Sequence, residues 1–248
     1  MKKWIMANWK MNGDLNMVRD YIKHLNESNF NSKIELVIFP PTIYLPEFNQ
    51  IDKSSKYHWG AQNISAEEKG AYTGEISASM VKDFGCHYVL VGHSERRHLF
   101  KEDEKLIAKK FHIVKEYGMI PVVCIGETLE QYKNHQTAEV LRNQLKSLKI
   151  DDAFSFEKSI IAYEPVWAIG SGLLPTPEEI QKVFVDIRTI LKEIDAKSEN
   201  IPLLYGGSVG VENIQAIDGI NEGQGVLIGG ASLKIQQLLE ITQCIVCC

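Results

Sequence analysis

Long apolar runs are missing from this chain. No stretch approaches the length of a membrane span, and the amino-terminal residues lack the apolar segment of a secretory leader. A cytoplasmic protein is expected, in which the N-x-S tripeptides at Asn26 and Asn63 carry no glycan. Basic blocks are missing too: 27 Lys and Arg stand against 32 Asp and Glu, and a net charge of −5 argues against a nucleic-acid surface. Cysteine is sparse. Five residues, an odd number, favour reduced thiols. Cys244, Cys247 and Cys248 cluster without a nearby fourth ligand, so no metal site is expected. No Pro/Gly/Ser-rich linker, composition shift or sequence repeat marks a domain boundary. Also missing are a dinucleotide fingerprint after an early strand, a nucleophile–base triad and paired carboxylates at glycosidase-like positions.

What is present is a rhythm. Short β-rich runs occupy Trp4–Trp9, Ile34–Phe39, Tyr57–Ala61, Tyr88–Val91, Ile120–Cys124, Ile160–Tyr163, Pro202–Tyr205 and Val226–Ile228. Several are apolar throughout, as strands covered on both faces are. Amphipathic helical patterns lie between them. After Thr176, residues Ile180, Val183, Phe184, Ile187, Ile190, Leu191 and Ile194 line one face. Thr176 is placed to cap that helix, Pro177 sits at its first position, and Glu179 completes a capping box. Eight strand–helix units without a boundary predict a single (β/α)8 barrel domain over residues 1–248, with an open doubly wound sheet as the alternative.

In such a barrel the site is built at the carboxyl ends of the strands. Those ends carry Asn8 and Lys10, then His93 with Ser94, Glu95 and Arg96, then Cys124, Gly126 and Glu127, then Glu164. The last two strands end in Gly206-Gly207-Ser208 and Gly229-Gly230. Glycines there let backbone N–H groups approach an anion closely, and a helix beginning at Ala231 would add its dipole. They also serve as plain tight turns. Lys10 is either an anion-holding charge or a lysine reaching for solvent, and His93 is either functional or structural. Glu164 is either a base or an ion-pair partner of Arg96 or Arg97. Glu164 follows the apolar run 159–163 directly and leads into Pro165 and a loop, a poor place for solvation and a good one for chemistry. A carboxylate and an imidazole suit proton abstraction beside a carbonyl, through an enediolate that needs its negative charge stabilised.

Several motifs carry a resemblance. They are Ala7-Asn8-Trp9-Lys10-Met11-Asn12, Gly60-Ala61-Gln62-Asn63, Gly70-Ala71-Tyr72-Thr73-Gly74-Glu75, Val91-Gly92-His93-Ser94-Glu95-Arg96-Arg97, Cys124-Ile125-Gly126-Glu127, the segment 162–170, Tyr205-Gly206-Gly207-Ser208-Val209 and Gly229-Gly230-Ala231-Ser232-Leu233. In content and order the chain resembles the triosephosphate isomerase family. The resemblance implies interconversion of dihydroxyacetone phosphate and glyceraldehyde 3-phosphate without cofactor or metal. Glu164 would move the proton, and His93 would be the neutral electrophile, the division of labour for which this family is the type case. Lys10 and Asn8 would bind substrate, with Glu95 in support. Backbone amides at Gly170, Ser208, Gly229 and Gly230 would hold the phosphate. Pro165, Val166, Trp167, Ala168, Ile169, Gly170, Ser171 and Gly172 would form the lid. The segment 62–75 resembles the family's dimer loop, implying a homodimer in which Thr73, Gly74 and Glu75 reach the neighbouring site.

One departure stands out. After Gly170 the family often reads Thr-Gly-Lys-Thr-Ala; here the residues are Ser171-Gly172-Leu173-Leu174-Pro175. The family's lid bond from the tyrosine matching Tyr205 to a backbone N–H falls on Pro175, which has none. Closure is therefore expected to lean on apolar contact and on Ser208. The competing readings are another phosphate-binding barrel isomerase or lyase, and a non-catalytic binding protein on an inherited barrel.

Overall fold

A computed structural model describes residues 2–50, 56–169 and 173–245. Eight parallel strands close into a barrel in sequence order. They are β1 (Lys3–Asn8), β2 (Ile34–Phe39), β3 (Tyr57–Ala61), β4 (Tyr88–Val91), β5 (Ile120–Ile125), β6 (Ile160–Tyr163), β7 (Leu203–Tyr205) and β8 (Gly225–Ile228). Around them run α1 (Leu15–Glu27), α2 (Leu45–Phe48), α3 (Ala78–Asp83), α4 (Ser94–His98), α5 (Glu104–Glu116), α6 (Leu129–Lys133), α7 (Thr137–Lys146), α8 (Pro177–Ile194), α9 (Ile214–Asp218) and α10 (Ile235–Cys244). This is the expected single-domain (β/α)8 barrel.

Strand limits depart from the sequence pattern by a residue. β1 stops at Asn8 because Lys10 adopts a left-handed backbone, φ 54°, that no strand continues. β7 starts after Pro202, which has no N–H for the ladder. The helix expected from Ala231 opens as a 3₁₀ turn over Gly230–Leu233, and α10 begins at Ile235. The α8 cap forms as its sequence demands: the Thr176 hydroxyl accepts from Glu179 N, and the Glu179 carboxylate accepts from Thr176 N.

Two apolar clusters divide the strands by parity. Met6, Val37, Phe39, Leu90, Val122, Cys124, Ala162, Leu204 and Leu227 pack inside the barrel. Their neighbours, such as Ile5, Ile38, Val91, Val123, Ile161 and Ile228, pack outward with the helices. Side chains alternate along a strand, so each inward residue is followed two positions later by another. Continued past the strand ends, that alternation aims Asn8 and Glu164 at the barrel axis. It also assigns inward positions to Gly126, Gly206 and Gly229, where no side chain competes with them.

Candidate active site

Glycines make the space that Glu164 occupies. A Cβ on Gly206 would lie 2.8 Å from Glu164 Cγ, and one on Gly126 would lie 1.8 Å from Glu164 O. The carboxylate is almost fully buried. It pairs with neither Arg96 nor Arg97. Arg96 donates to Glu102, while Arg97 donates to Glu104 and to the carbonyls of Gly92 and Cys124. Glu164 instead accepts from Ser94 N at 2.9 Å through Oε2, and Oε1 stands 3.1 Å from His93 Nε2.

The hydrogen bonding of the His93 ring selects one tautomer of the neutral imidazole. Its Nδ1 lies 3.3 Å from Glu95 N, an N–H that can only donate, so Nδ1 is the acceptor. The proton of the neutral imidazole then sits on Nε2, facing Glu164. His93 is also the N-cap of α4.

Lys10 is held on three sides. Asn8 Oδ1 accepts from Lys10 N at 3.0 Å, and Gln62 Nε2 donates to Lys10 O at 2.8 Å. These two amides lock the left-handed backbone, whose strain on a non-glycine residue costs on the order of 1–3 kcal/mol. The ammonium meets Glu95 Oε1 at 2.7 Å.

Asn8, Lys10, His93 and Glu164 line a cavity of about 290 Å³. Gly206, Gly207, Ser208, Gly229 and Gly230 line the same cavity. No carboxylate or imidazole cluster of metal-holding geometry occurs among the described residues. Cys124, beneath Glu164, has its thiol pushed well up by burial and then by the nearby carboxylate, so it stays protonated and inert.

The root of the segment beyond Glu164 is anchored from behind. Buried Glu127 accepts from Trp167 Nε1 at 2.8 Å and from Tyr163 Oη at 3.1 Å. Burial pushes its carboxyl above the usual range. The Trp167 indole stacks on Tyr132 with centroids 4.4 Å apart, and Ser208 Oγ donates to Ala168 O at 2.8 Å. Pro165 and Ala168 are buried, while Val166, Trp167 and Ile169 are partly so. Gly170, Ser171 and Gly172 lie outside the described residues. The Tyr205 hydroxyl is buried without a partner among the described residues.

Thr73, Gly74 and Glu75 form an exposed turn away from this cavity. Gly74 and Glu75 instead line a second cavity of about 500 Å³, shared with Lys10, His93, Met11 and Phe100. Of the terminal cysteines, Cys244 ends α10, and Cys247 and Cys248 lie outside the described residues. Sequence reasoning gave Glu127 and Gln144 no role and placed Gln62 only in the segment likened to a dimer loop. Gln144 did leave a signal, since it is a polar residue on the buried stripe of α7 beside Leu141 and Leu145.

Polar groups gathered at the carboxyl rim of a closed parallel barrel place the molecule among the (β/α)8-barrel enzymes. Comparison with known proteins narrows that class. A sequence model of the triosephosphate isomerase family matches residues 3–245. The chain is 44% identical over 246 residues to a triosephosphate isomerase of Legionella pneumophila (strain Paris), covering 98% of this chain and 99% of that one. It is 40% identical over 242 residues to that of Nitrosococcus oceani, covering 96% and 97%. It is 39% identical over 249 residues to that of Xanthomonas campestris pv. campestris (strain 8004), covering 100% and 99%. The chain belongs to the triosephosphate isomerase family.

Proposed function

We propose that this chain interconverts dihydroxyacetone phosphate and D-glyceraldehyde 3-phosphate, a reaction of glycolysis and gluconeogenesis, by proton transfer through an enediolate. The observation that carries the reading is the contact of His93 Nε2 with Glu164 Oε1, a neutral donor against a buried carboxylate at the cavity wall. Substrate entering between them takes up both groups at once. Glu164 removes a proton from the carbon beside the carbonyl and returns it to the neighbouring carbon, so no atom is gained or lost. The Nε2 proton of His93 passes to the carbonyl oxygen as negative charge develops there, and the ring recovers a proton from the neighbouring hydroxyl as that oxygen becomes the new carbonyl, so the oxygen-bound protons balance as well. Lys10, oriented by Asn8 and tethered by Glu95, supplies a fixed positive charge beside the same oxygens. The phosphate is held by backbone N–H groups of Gly170, Ser208, Gly229 and Gly230. The segment 165–172 covers the site and excludes water.

In this reading residues 1–248 act as one domain, and the scheme calls for no cofactor and no metal. The working form is a homodimer. Exposed Met11 and Phe100 beside the 62–75 segment support it, since apolar side chains of that size at a shared cavity mark a protein-binding surface. No described helix is long and apolar enough to cross a membrane, and the reaction is assigned to the cytoplasm. Another phosphate-binding barrel isomerase or lyase is not favoured, because family membership extends over residues 3–245.

The test is steady-state assay with each triose phosphate, wild type beside Glu164→Gln. The variant keeps the shape of the side chain and loses the base, so kcat should drop by on the order of 10²–10⁴-fold with KM little changed. Near-normal turnover in the variant removes Glu164 as the base. A wild type inactive on both substrates removes the isomerase reading.

A further inference from the structure

We infer that Gln144 is a positioning residue for the base, acting through Gly126; the inference rests on the isomerase reading. Gln144 projects from α7 into the core and is 8% exposed. Its amide spans both peptide groups of one residue: Oε1 accepts from Gly126 N at 2.9 Å, and Nε2 donates to Gly126 O at 3.1 Å. That is the pairing a neighbouring strand would offer, made by a side chain where the β5–β6 ladder runs out. The last register pair of that ladder is Ile125 with Tyr163.

Gly126 presses directly on the residue that follows the ladder. The space its Cβ would need is filled by the Glu164 carbonyl, 1.8 Å from the Cβ position. On either side, Glu164 N donates to Ile125 O at 2.7 Å and Val166 N donates to Glu127 O at 3.1 Å. The main chain of the base is thus held by three consecutive residues, 125–127, and the middle one is fixed from behind by Gln144. Gln144 lines neither cavity at the site. It works only by fixing the floor against which Glu164 rests, and a shift of about an ångström at a base can cost on the order of 10²-fold in rate.

A side chain that bonds both Gly126 groups must donate and accept at once, as the Gln144 amide does. Leucine bonds to neither. An ionised glutamate accepts from the N–H but sets a like-charged oxygen against the carbonyl, whereas its protonated form donates to that carbonyl as the amide does. Burial raises the pKa of such a carboxyl toward neutrality.

The experiment is kcat and KM across the neutral pH range for wild type, Gln144→Leu and Gln144→Glu. Gln144→Leu should lose on the order of 10²-fold in kcat while KM stays within about twofold, because the phosphate cradle is untouched. Gln144→Glu should approach wild type at the acid end and fall away as pH rises. Should the leucine variant fail to fold, the glutamate profile alone decides. A leucine variant with wild-type kcat, or a glutamate variant whose profile parallels wild type, overturns the inference. Wild-type inactivity would defeat the isomerase reading instead, so the two failures are distinguishable.

Discussion

Tyr205 carries a buried hydroxyl without a partner among the described residues, and Pro175, the position at which the family resemblance implies a donor, has no backbone N–H. A buried unpaired hydroxyl costs on the order of 1–3 kcal/mol. Tyr205→Phe should therefore leave kcat within about threefold of wild type and hold or raise Tm, whereas Ser208→Ala, which loses a bond worth about 1 kcal/mol to Ala168, should cost turnover severalfold. A Tyr205→Phe loss larger than that of Ser208→Ala, in kcat measured on both variants, would mean the hydroxyl finds a partner in the closed state. Asn8, Lys10, His93 and Glu164 were readable as strand-end residues because the barrel rule says where to look. Glu127 was read only as a strand end and Gln62 only as part of a motif and of the segment likened to the dimer loop, while Gln144 was not singled out. Their importance lies in which backbone groups they bond, and that depends on contacts across 18 or more residues of chain.

At the level of elements, α8 was the plainest sequence feature, because cap, first-turn proline and apolar stripe all agree locally. Its cap is exposed and separate from the cavity, so Thr176→Ala should cost about 1 kcal/mol, or roughly 2–4 °C in Tm, with kcat unchanged. Thermal melts and initial rates on the same preparation check both halves. An unchanged Tm would mean α8 is held by packing alone. The helix expected from Ala231 was less readable. An apolar pattern this short suits a 3₁₀ turn as well as an α-helix, and it is the extended backbone of Lys234, φ −100° and ψ 106°, that separates the turn from α10.

The whole molecule divides its labour between its ends. The carboxyl rim is opened by glycines, while the opposite mouth carries a cluster of paired polar side chains. There Glu35 on β2 meets His58 on β3 at 2.9 Å, Tyr88 on β4 at 3.1 Å and Lys2 before β1 at 2.9 Å. The His58 bond, aided by Lys2, lowers the Glu35 carboxyl to about 2 against the opposing pull of burial. A carboxylate depressed in the folded state contributes stability that is present above its unfolded value, 4.5, and lost as pH falls through about 2. Because Lys2 and His58 are partly exposed, that contribution is on the order of 1–2 kcal/mol. Glu35→Gln should be less stable than wild type above pH 4.5, and the gap should close toward pH 2. Denaturant melts across that acid range provide the check; a gap that stays constant would detach Glu35 from acid unfolding. Barrel closure itself was foreseen from the count of strand–helix units, but this cluster was not, because Glu35, His58 and Tyr88 sit in three separate strands and Lys2 lies just before a fourth.

The parity that aims Glu164 inward also limits how this chain can change. Substituting one apolar residue of β6 for another alters packing locally and leaves the alternation intact. Inserting or deleting a single residue between Ile160 and Glu164 would turn the carboxylate outward to face the helices, whatever the residue inserted. Over those few positions the length of the chain is inherited as strictly as a reading frame, and drift in β6 can proceed by replacement but not by slippage.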